Sequence, residues 1–533
     1  MIYTLHRYIF RELCKIFLLA TVALTLILSL GSLLRPIQRY GVGPGQVVDL
    51  LVYFLPVTMS FVLPIAALFA ASLAYGRLAT DNEIDACKAS GLSPLALIGP
   101  GLLLAVLVAV GNLVLSFYIT PSFVYLADRS IHANLKQIVF RHLQRQGYYR
   151  LPPGDRYAVY ADFANEQTDS LHGVIVLKTR EGRLDRIMAT EVARVWFDPA
   201  DALHEVRITA RNALQMDLSQ NDSVQLQNIS LGMPFDSPLS DRIRFKRLDD
   251  IERIRTDLLR FGPVEKQARQ VSAQAMTELL ADDLFRTLAA DRPYEWTGAA
   301  RAVRMSAAPE GVSLGPGRTI HVAGPVQVTE TDRSTDGPPR RWECEKAVLT
   351  LDAEQGGACE LTLDLDKVRS MEGAGTVILH YPLTGLAVPG PIVSSVTAPP
   401  LLETLVSPGL TAGLSKGPTS QMIRAVDRLR REIRGTLAEI QAEIHSRLVF
   451  GIGCVPMILI GMGLGILHRG GHLLTAFAIS CVPALILVVG VVSGSHIAKN
   501  PGSHGGLGIG LMWAALAVLF GMALATLGRV VRH

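Results

Sequence analysis

Six runs of apolar residues without a charged side chain constrain this sequence more than any other feature. About 20 consecutive apolar residues suffice for a helix to cross a bilayer, and each run has about that length. A long polar block, residues 129–447, separates the first three runs from the last three. The sequence therefore predicts an α-helical membrane protein with six transmembrane helices, three on each side of a large soluble insertion. The runs are residues 16–34, 50–75, 95–119, 448–467, 473–492 and 507–528.

Composition supports this class and excludes others. Of the 533 residues, 49% are hydrophobic, which fits a membrane protein with a sizeable soluble part. The formal net charge of +4 is small for this length, so we expect no nucleic-acid partner. The six cysteines form no CxxC pair and no metal-ligand spacing, so we expect no metal and no cofactor. The first run follows a basic segment and precedes Arg35-Pro36 rather than small residues, which indicates a retained anchor and not a cleaved signal peptide.

A short charged stretch, residues 75–94, lies between the second and third runs and must face water at one side of the membrane. Its centre, residues 80–90, can form a short amphipathic helix with Thr80 or Asp81 as N-cap and Gly91 as its stop. Asp81 and Glu83 would lie in its first turn, and Ile84, Cys87 and Ala86 would form a small apolar patch. Such a helix is joined directly to two membrane helices, so it can transmit the movement of a soluble partner to them. A solvated loop is the alternative interpretation.

The distribution of basic residues orients the chain. With a cytoplasmic N-terminus, eight basic residues fall in the inner segments and three, Arg35, Arg39 and Lys499, in the short outer loops. This orientation places residues 75–94 and both termini in the cytoplasm and the soluble block on the far side. The eight inner residues are Arg7, Arg11, Lys15, Arg77, Lys88, Arg469, Arg529 and Arg532.

The soluble block begins with short β-branched or aromatic segments separated by turn residues, a pattern typical of a sandwich or jelly roll. Residues 247–261 and 263–289 then predict helices. A second strand-rich section, from about residue 318 to 397, indicates an inserted lobe whose role the sequence leaves open. The predicted strands are residues 157–162, 173–178, 186–189, 192–197, 204–210 and 224–229.

We expect five parts along the chain. They are residues 1–128, with the first three membrane helices and a coupling helix at about 80–90; 129–262, a jelly-roll-like periplasmic domain; 263–418, a helical segment with the inserted lobe at about 290–400; 419–447, an amphipathic helix; and 448–533, the last three membrane helices.

Two cysteines of the inserted lobe, Cys344 and Cys359, raise the question of a disulfide. If residues 342–352 and 358–366 form a hairpin, Cys359 faces the region of Asp352. Cys344 would then lie roughly 25 Å away along its strand, at about 3.3 Å per residue. The register argues against a bridge without excluding it.

No catalytic motif is present, and we expect no catalytic residue. The Gly-rich segment at residues 413–420 has the wrong order for a P-loop. His132 and His142 have no acidic partner at triad-like spacing, and His468 and His472 fit solvated loop residues. Apolar residues recur every three or four positions in residues 419–447, which predicts an amphipathic helix that runs into the fourth membrane helix. The glycines at 461, 463 and 465 permit close helix packing, with a partner that the sequence does not identify.

Three segments carry a family resemblance. GRLATDNEIDACKASGLS, residues 76–93, resembles the pattern G-[RK]-L-x-x-[DE]-[SN]-E-[IL]-x-x-x-x-A-x-G-[IL]-S of the LptF/LptG permeases of lipopolysaccharide export. LPIAALFA, residues 63–70, resembles their second-span core, and EIHSR, residues 443–447, resembles their E-L-H-x-R element. The resemblance covers about residues 1–260 and 419–533, and residues 284–397 depart from it as an insertion.

The resemblance implies a transmembrane subunit of an ABC transporter with ATP hydrolysis in a separate LptB-like dimer. It implies a paired LptF- or LptG-like permease and periplasmic LptC- and LptA-like proteins that receive lipopolysaccharide. By resemblance Glu83, with Asp81, Ile84 and Gly91 around it, contacts the ATPase. Arg35 falls on a basic position that contacts substrate phosphate, and Arg39 lies near it without matching residue for residue.

Two other classes remain open: a permease of another lipid or lipoprotein export system, and a membrane-anchored assembly protein that transports nothing. The first class commonly places its soluble block after the first span, which the three-plus-three order contradicts. Co-purification of an ATPase would exclude the second class. The sequence does not decide between an F-like and a G-like subunit, nor does it identify the lipid.

Overall fold

The chain is described from a computed structural model that divides into two compact units, Met1–Arg255 with Leu437–His533, and Thr256–Thr436. The side chains of Arg35, Arg39 and Cys359 are among those that lie outside the description. The structure describes residues 2–40, 44–133, 135–151, 157–180, 183–197, 205–217, 222–234, 242–298, 301–315, 319–332, 339–353, 359–371, 377–407, 409–412, 414–415, 417–467, 473–500 and 505–532.

The first unit contains the membrane helices. In the described residues six helices are long and apolar enough to cross a membrane, three before and three after the β-rich part, as predicted. The third is extended by a π-helix, Leu115–Ile119, and by α5. The helices are α1 (Ile2–Tyr40), α2 (Pro44–Thr80), α3 (Glu83–Ala89), α4 (Pro94–Val114), α5 (Thr120–Ala133), α6 (Leu135–Gln146), α12 (Ser420–Leu467), which begins in the second unit, α13 (Leu473–Lys499) and α14 (Gly505–Arg532).

Two of these helices differ from expectation. The predicted outer loop at residues 35–49 is wrong in part, because α1 continues to Tyr40 and α2 begins at Pro44. Pro36 does not end α1, because a proline is tolerated within a membrane helix. The helix therefore continues past Arg35 and Pro36. The amphipathic helix predicted at residues 419–447 is confirmed, and it forms one continuous 48-residue helix with the fourth span.

Six antiparallel strands form the β-rich part of the first unit, and each pairs with the next along the chain. Residues 186–189 and 192–197, predicted as two strands, belong to one strand of 15 residues. The first strand, Tyr148–Leu151, was not predicted. The strands are β1 (Tyr148–Leu151), β2 (Tyr157–Asn165), β3 (Ser170–Arg180), β4 (Arg183–Phe197), β5 (Glu205–Asp217) and β6 (Asp222–Pro234).

An irregularity crosses the middle of this sheet. On β2 the buried residues Ala161 and Ala164 stand three positions apart instead of two, and the same spacing separates Leu171 and Val174 on β3. The neighbouring strands β4 and β5 repeat it, with Asn212 of β5 at φ 54°. The pairing register is unbroken at these positions, so the irregularity runs through neighbouring strands together and is not a β-bulge. One face of the sheet packs on Val139, Phe140 and Leu143 of α6.

The second unit combines a long helix, α8 (Gly262–Ala289), with a seven-stranded antiparallel sheet. Its strands start at Tyr294, earlier than the predicted residue 318. An isolated bridge joins Gly298 to Leu386, so the last strand returns to the end of the first. The strands are β7 (Tyr294–Thr297), β8 (Arg301–Ser306), β9 (Val312–Leu314), β10 (Thr319–Asp332), β11 (Arg340–Ala353), β12 (Cys359–Ser370) and β13 (Val377–Ala387), and the short helices are α7 (Leu248–Thr256) at the unit boundary, α9 (Gly390–Thr397), α10 (Leu401–Val406) and α11 (Gly409–Ala412).

The predicted hairpin of the inserted lobe is confirmed as β11 and β12. Cys359 pairs with Ala353, one position from the expected Asp352. Cys344 lies nine positions from Ala353, roughly 30 Å at about 3.3 Å per residue, and it is a free thiol. The register therefore rules out a bridge between these two cysteines.

Candidate functional site

The polar stretch between the second and third spans folds into the helix α3, which is shorter than predicted. Thr80 and Asp81 are not its N-cap: the Thr80 hydroxyl donates to the Gly76 carbonyl at 2.9 Å, and the Asp81 amide donates to the Arg77 carbonyl at 2.9 Å. Both residues therefore complete the end of α2. The cap position belongs to Asn82, whose φ of 60° is one that asparagine tolerates better than most residues.

The end of α3 is as predicted. Gly91 has a φ of +83°, a left-handed conformation that glycine adopts without steric cost. Its amide donates to the Lys88 carbonyl at 3.0 Å, and the Leu92 amide donates to the Cys87 carbonyl at 3.1 Å. These two bonds form a Schellman motif, which fixes the direction in which the chain leaves the helix.

One side chain anchors α3 to the membrane helices. Ile84 is 3% exposed and belongs to a core that also contains Ile9 and Leu13 of α1, Leu78 of α2 and Leu97 of α4. Cys87 packs against the same core, whereas Ala86 is exposed and does not complete the predicted apolar patch. Because Ile84 contacts the core of three helices, α3 cannot be displaced without moving them.

The charged side of the site involves two residues of α1, Tyr8 and Glu12, that the sequence did not single out. The Tyr8 hydroxyl donates to Glu83 Oε1 at 3.4 Å, a long bond at the exposed surface. Glu12 pairs with Arg77 of α2 at 3.0 Å and with Lys15 at 3.6 Å. Tyr8, Glu12 and Lys15 are spaced as neighbours on one helix face, a signal that could have placed them beside the charged stretch. Asp81 is exposed, and Glu83 is half-buried.

Close packing joins α2 to α12 on the same side. A Cβ on Gly461 would lie 2.5 Å from the Leu68 carbonyl oxygen, and one on Gly465 would lie 2.6 Å from the Ser72 carbonyl oxygen. Only glycine permits this approach of two backbones. The packing partner of Gly461 and Gly465 is therefore α2 of the same chain. Gly463 meets Thr526 of α14 instead.

Arg35 and Arg39 lie on the last turns of α1, beyond the apolar window Tyr3–Gly31. Positions four apart in a helix lie on one face, so the structure brings the two positions together there. The predicted contact of these arginines with substrate falls on side chains outside the described residues.

The six-stranded sheet carries an apolar face opposite α6. Tyr160 pairs with Ile175 across β2 and β3, and both are exposed. Trp196 of β4 is 61% exposed. Exposed aromatic and aliphatic groups on one sheet face are unusual for a face that contacts only water. The other members are Phe163, Val192, Leu214 and Met216.

His142 packs edge-on against Tyr149 at 5.3 Å, and burial lowers the pKa of its imidazole. His468 and His472 lie outside the described residues. Among the residues that the structure describes, no group of three or more His, Cys, Asp or Glu side chains could hold a metal ion.

In the part of the chain that the structure describes, six helices able to span a membrane and a β-rich part between the third and fourth define a polytopic membrane protein. The family model described as "Lipopolysaccharide export system permease LptF/LptG" matches residues 7–271. Over this region the chain belongs to the LptF/LptG family, as the sequence resemblance predicted. No curated protein matches the chain.

Membership makes the chain a permease of lipopolysaccharide export, a multi-pass protein of the inner membrane and a transporter subunit by class. The match includes α3 and the six-stranded sheet and ends within α8, so most of the second unit and the last three spans lie outside it.

Proposed function

We propose that this chain is one transmembrane subunit of an ABC transporter that extracts lipopolysaccharide, or a similar large lipid, from the inner membrane and passes it to a periplasmic bridge. The observation that carries the proposal is the anchoring of α3 through Ile84 in the shared core of α1, α2 and α4. A force applied to α3 is transmitted to the spans because protein interiors are close-packed.

An LptB-like ATPase dimer is the partner that we infer for α3. Asp81 is exposed and Glu83 is half-buried, and both lie on the cytoplasmic side in the orientation we propose. A half-buried carboxylate can form a charge-assisted hydrogen bond with a basic group of the ATPase. Ile84 and Gly91 contribute by fixing the position and the end of the helix.

The lipid would be handled by two features of the first unit. The exposed apolar face around Tyr160, Ile175 and Trp196 offers a surface for acyl chains. Arg35 and Arg39, at the outer end of α1, can pair with phosphate groups at the membrane surface. We infer LptC- and LptA-like proteins as acceptors and a second LptF- or LptG-like chain as the paired permease.

The proposal requires cytoplasmic termini and a far-side β domain, as the eight-to-three distribution of basic residues indicates. A reporter that is active only in the cytoplasm should work after His533. One that is active only outside should work within residues 165–170, at the turn between β2 and β3. The reverse result at both sites would overturn the orientation and the role of α3.

The function itself is tested by reconstitution. Purification from the native membrane should retain an ATPase and a second permease, and the complex in vesicles should release lipopolysaccharide to a soluble acceptor only when ATP is supplied. A chain that retains no ATPase would be an assembly protein. ATP-dependent release of another lipid but not of lipopolysaccharide would identify a different export system.

A further inference from the structure

A buried arginine, Arg447, lies where α12 enters the membrane from the far side. Its side chain is only 4% exposed. Nε donates to Glu443 Oε1 at 3.1 Å, Nη1 to the Lys246 carbonyl at 3.1 Å and Nη2 to the Arg244 carbonyl at 2.8 Å. A guanidinium withdrawn from water in this way is stable only when its donors are satisfied.

The two carbonyls belong to the segment that follows the six-stranded sheet. Arg244 lies within the 3-10 turn Ile243–Phe245 and Lys246 directly follows it, and the turn is the first described element after β6. Ile243 is fully buried. The Arg447 guanidinium also lies 5.4 Å from the ring of Phe117, within the π-helix of the third span. One side chain therefore contacts three elements: its own span, the third span and the exit segment of the sheet, residues 243–246.

The same helix contacts the second span at its other end. Gly461 and Gly465 pack against the backbone of α2, which ends at Thr80, directly before α3. Residues 447 and 461 are about 21 Å apart along α12, at about 1.5 Å per residue. A single continuous helix, with Pro456 between the two contact points, thus connects the span next to α3 with the exit segment of the sheet.

We propose that Arg447 is a positioning residue that transmits displacement of the membrane helices to the six-stranded sheet. This inference rests on the proposed function and adds to it the route by which ATP-driven motion reaches the lipid-handling domain. Arginine suits the task because its planar fork donates in several fixed directions at once, which the single ammonium of lysine cannot do. Networks of hydrogen bonds and packed side chains of this kind carry coupling between distant sites.

The test uses the complete complex in phosphatidylethanolamine and phosphatidylglycerol vesicles that contain lipopolysaccharide. Two quantities are measured, the rate of ATP hydrolysis and the lipopolysaccharide released per ATP. Arg447→Lys and Arg447→Gln should lower release per ATP by about tenfold, as loss of hydrogen bonds from a buried charge implies, and leave ATPase association unchanged. A purely structural role would instead lower the rate of ATP hydrolysis through loss of folded complex and leave release per ATP unchanged.

The matched control is Lys499→Gln. Lys499 lies 3.9 Å from Glu443 Oε2 and 3.4 Å from Glu439 Oε1, so it belongs to the same charge network, but it has no described bond to residues 243–246. It should keep release per ATP within about twofold of wild type. An equal loss in Lys499→Gln would show that the charge network, and not the contact with the exit segment, is responsible, and would overturn the inference.

A second variant, Ile243→Ala, covers the case in which Arg447 variants fail to insert. It loosens the exit segment while Arg447 stays intact, and release per ATP should again fall. Wild-type release per ATP in Ile243→Ala, or in both Arg447 variants, would overturn the inference alone. A wild-type complex that released no lipopolysaccharide would overturn the proposed function and this inference with it.

Discussion

The hydroxyl of Tyr75, in the second span, donates a 2.8 Å hydrogen bond to the carbonyl of Leu97, in the third. Tyr75 is fully buried, and the two residues are 22 positions apart. The whole of α3 lies in the interval between them. The bond therefore joins the second span to the third on either side of α3, and it fixes the two spans in relation to each other.

Tyr75→Phe should destabilise the purified chain by about 1 kcal/mol, because one buried hydrogen bond is lost while the ring still packs. The midpoint of thermal unfolding in detergent measures the effect. Tyr125→Phe, at an exposed position of α5, is the control and should leave the midpoint unchanged. Equal midpoints for all three proteins would mean that the bond does not contribute to stability.

Glu83→Ala should reduce association with the ATPase and lipid export while the chain still inserts and folds. Loss of one partner of a partly buried charged contact costs roughly 2–5 kcal/mol, which lowers affinity by about 30-fold or more. Asp85→Ala, about 200° around the helix, should have less effect. A pull-down of the ATPase and an export assay for both variants check this. Full association with Glu83→Ala would leave α3 as an ordinary cytoplasmic loop.

Gly461→Val should destabilise the membrane bundle by about 1–3 kcal/mol, since its Cβ would lie 2.5 Å from the Leu68 carbonyl oxygen and 2.9 Å from the Ala71 Cβ. Gly521→Val is matched to it, because a Cβ there meets nothing within 4 Å. The measurement that distinguishes the two variants is the fraction of protein that stays monodisperse after heating. Similar losses in both variants would assign the effect to β-branching and not to helix contact.

Arg35→Glu should weaken binding of lipopolysaccharide by about tenfold, because it reverses the charge opposite a phosphate, and assembly with the ATPase should survive. The exposed Arg129 of α5 provides the control Arg129→Glu. Lipopolysaccharide retained by each purified complex is the measurement. Small, equal effects in both variants would make Arg35 a membrane anchor only.

Cys344 should react slowly with thiol reagents in the folded chain. Burial, with a smaller contribution from Asp366, raises the pKa of its thiol from 9.0 to about 11, so the reactive thiolate is scarce at pH 8. Its labelling rate should still be rising at pH 10, whereas the rate of an exposed reference cysteine, Ser306→Cys, should level off near the ordinary thiol pKa of 9.0. The two proteins, each with one cysteine, are labelled with a maleimide between pH 7 and 10. Equal rates at pH 8 would contradict the burial of this thiol.

Local sequence patterns were enough to predict the membrane helices, the strand-rich insertion, the continuous helix that becomes α12, and the stop of α3 at Gly91. These features depend on local properties: the length of an apolar run, its periodicity, and the backbone freedom of one glycine. Local signals also caused the errors. Charged Arg35 suggested a loop where α1 continues, and the sequence predicted a break at residues 190–191 where β4 is continuous.

The tertiary structure alone decided which residues meet. The contact of Arg447 with the carbonyls of Arg244 and Lys246 joins positions 203 and 201 residues apart, and the packing of Gly461 on α2 depends equally on the arrangement of the helices. No window of sequence contains both partners of such a contact. Hydrophobicity determines that a segment is buried. Its packing partner is determined by hydrogen-bond direction and shape complementarity, which arise only when distant segments pack.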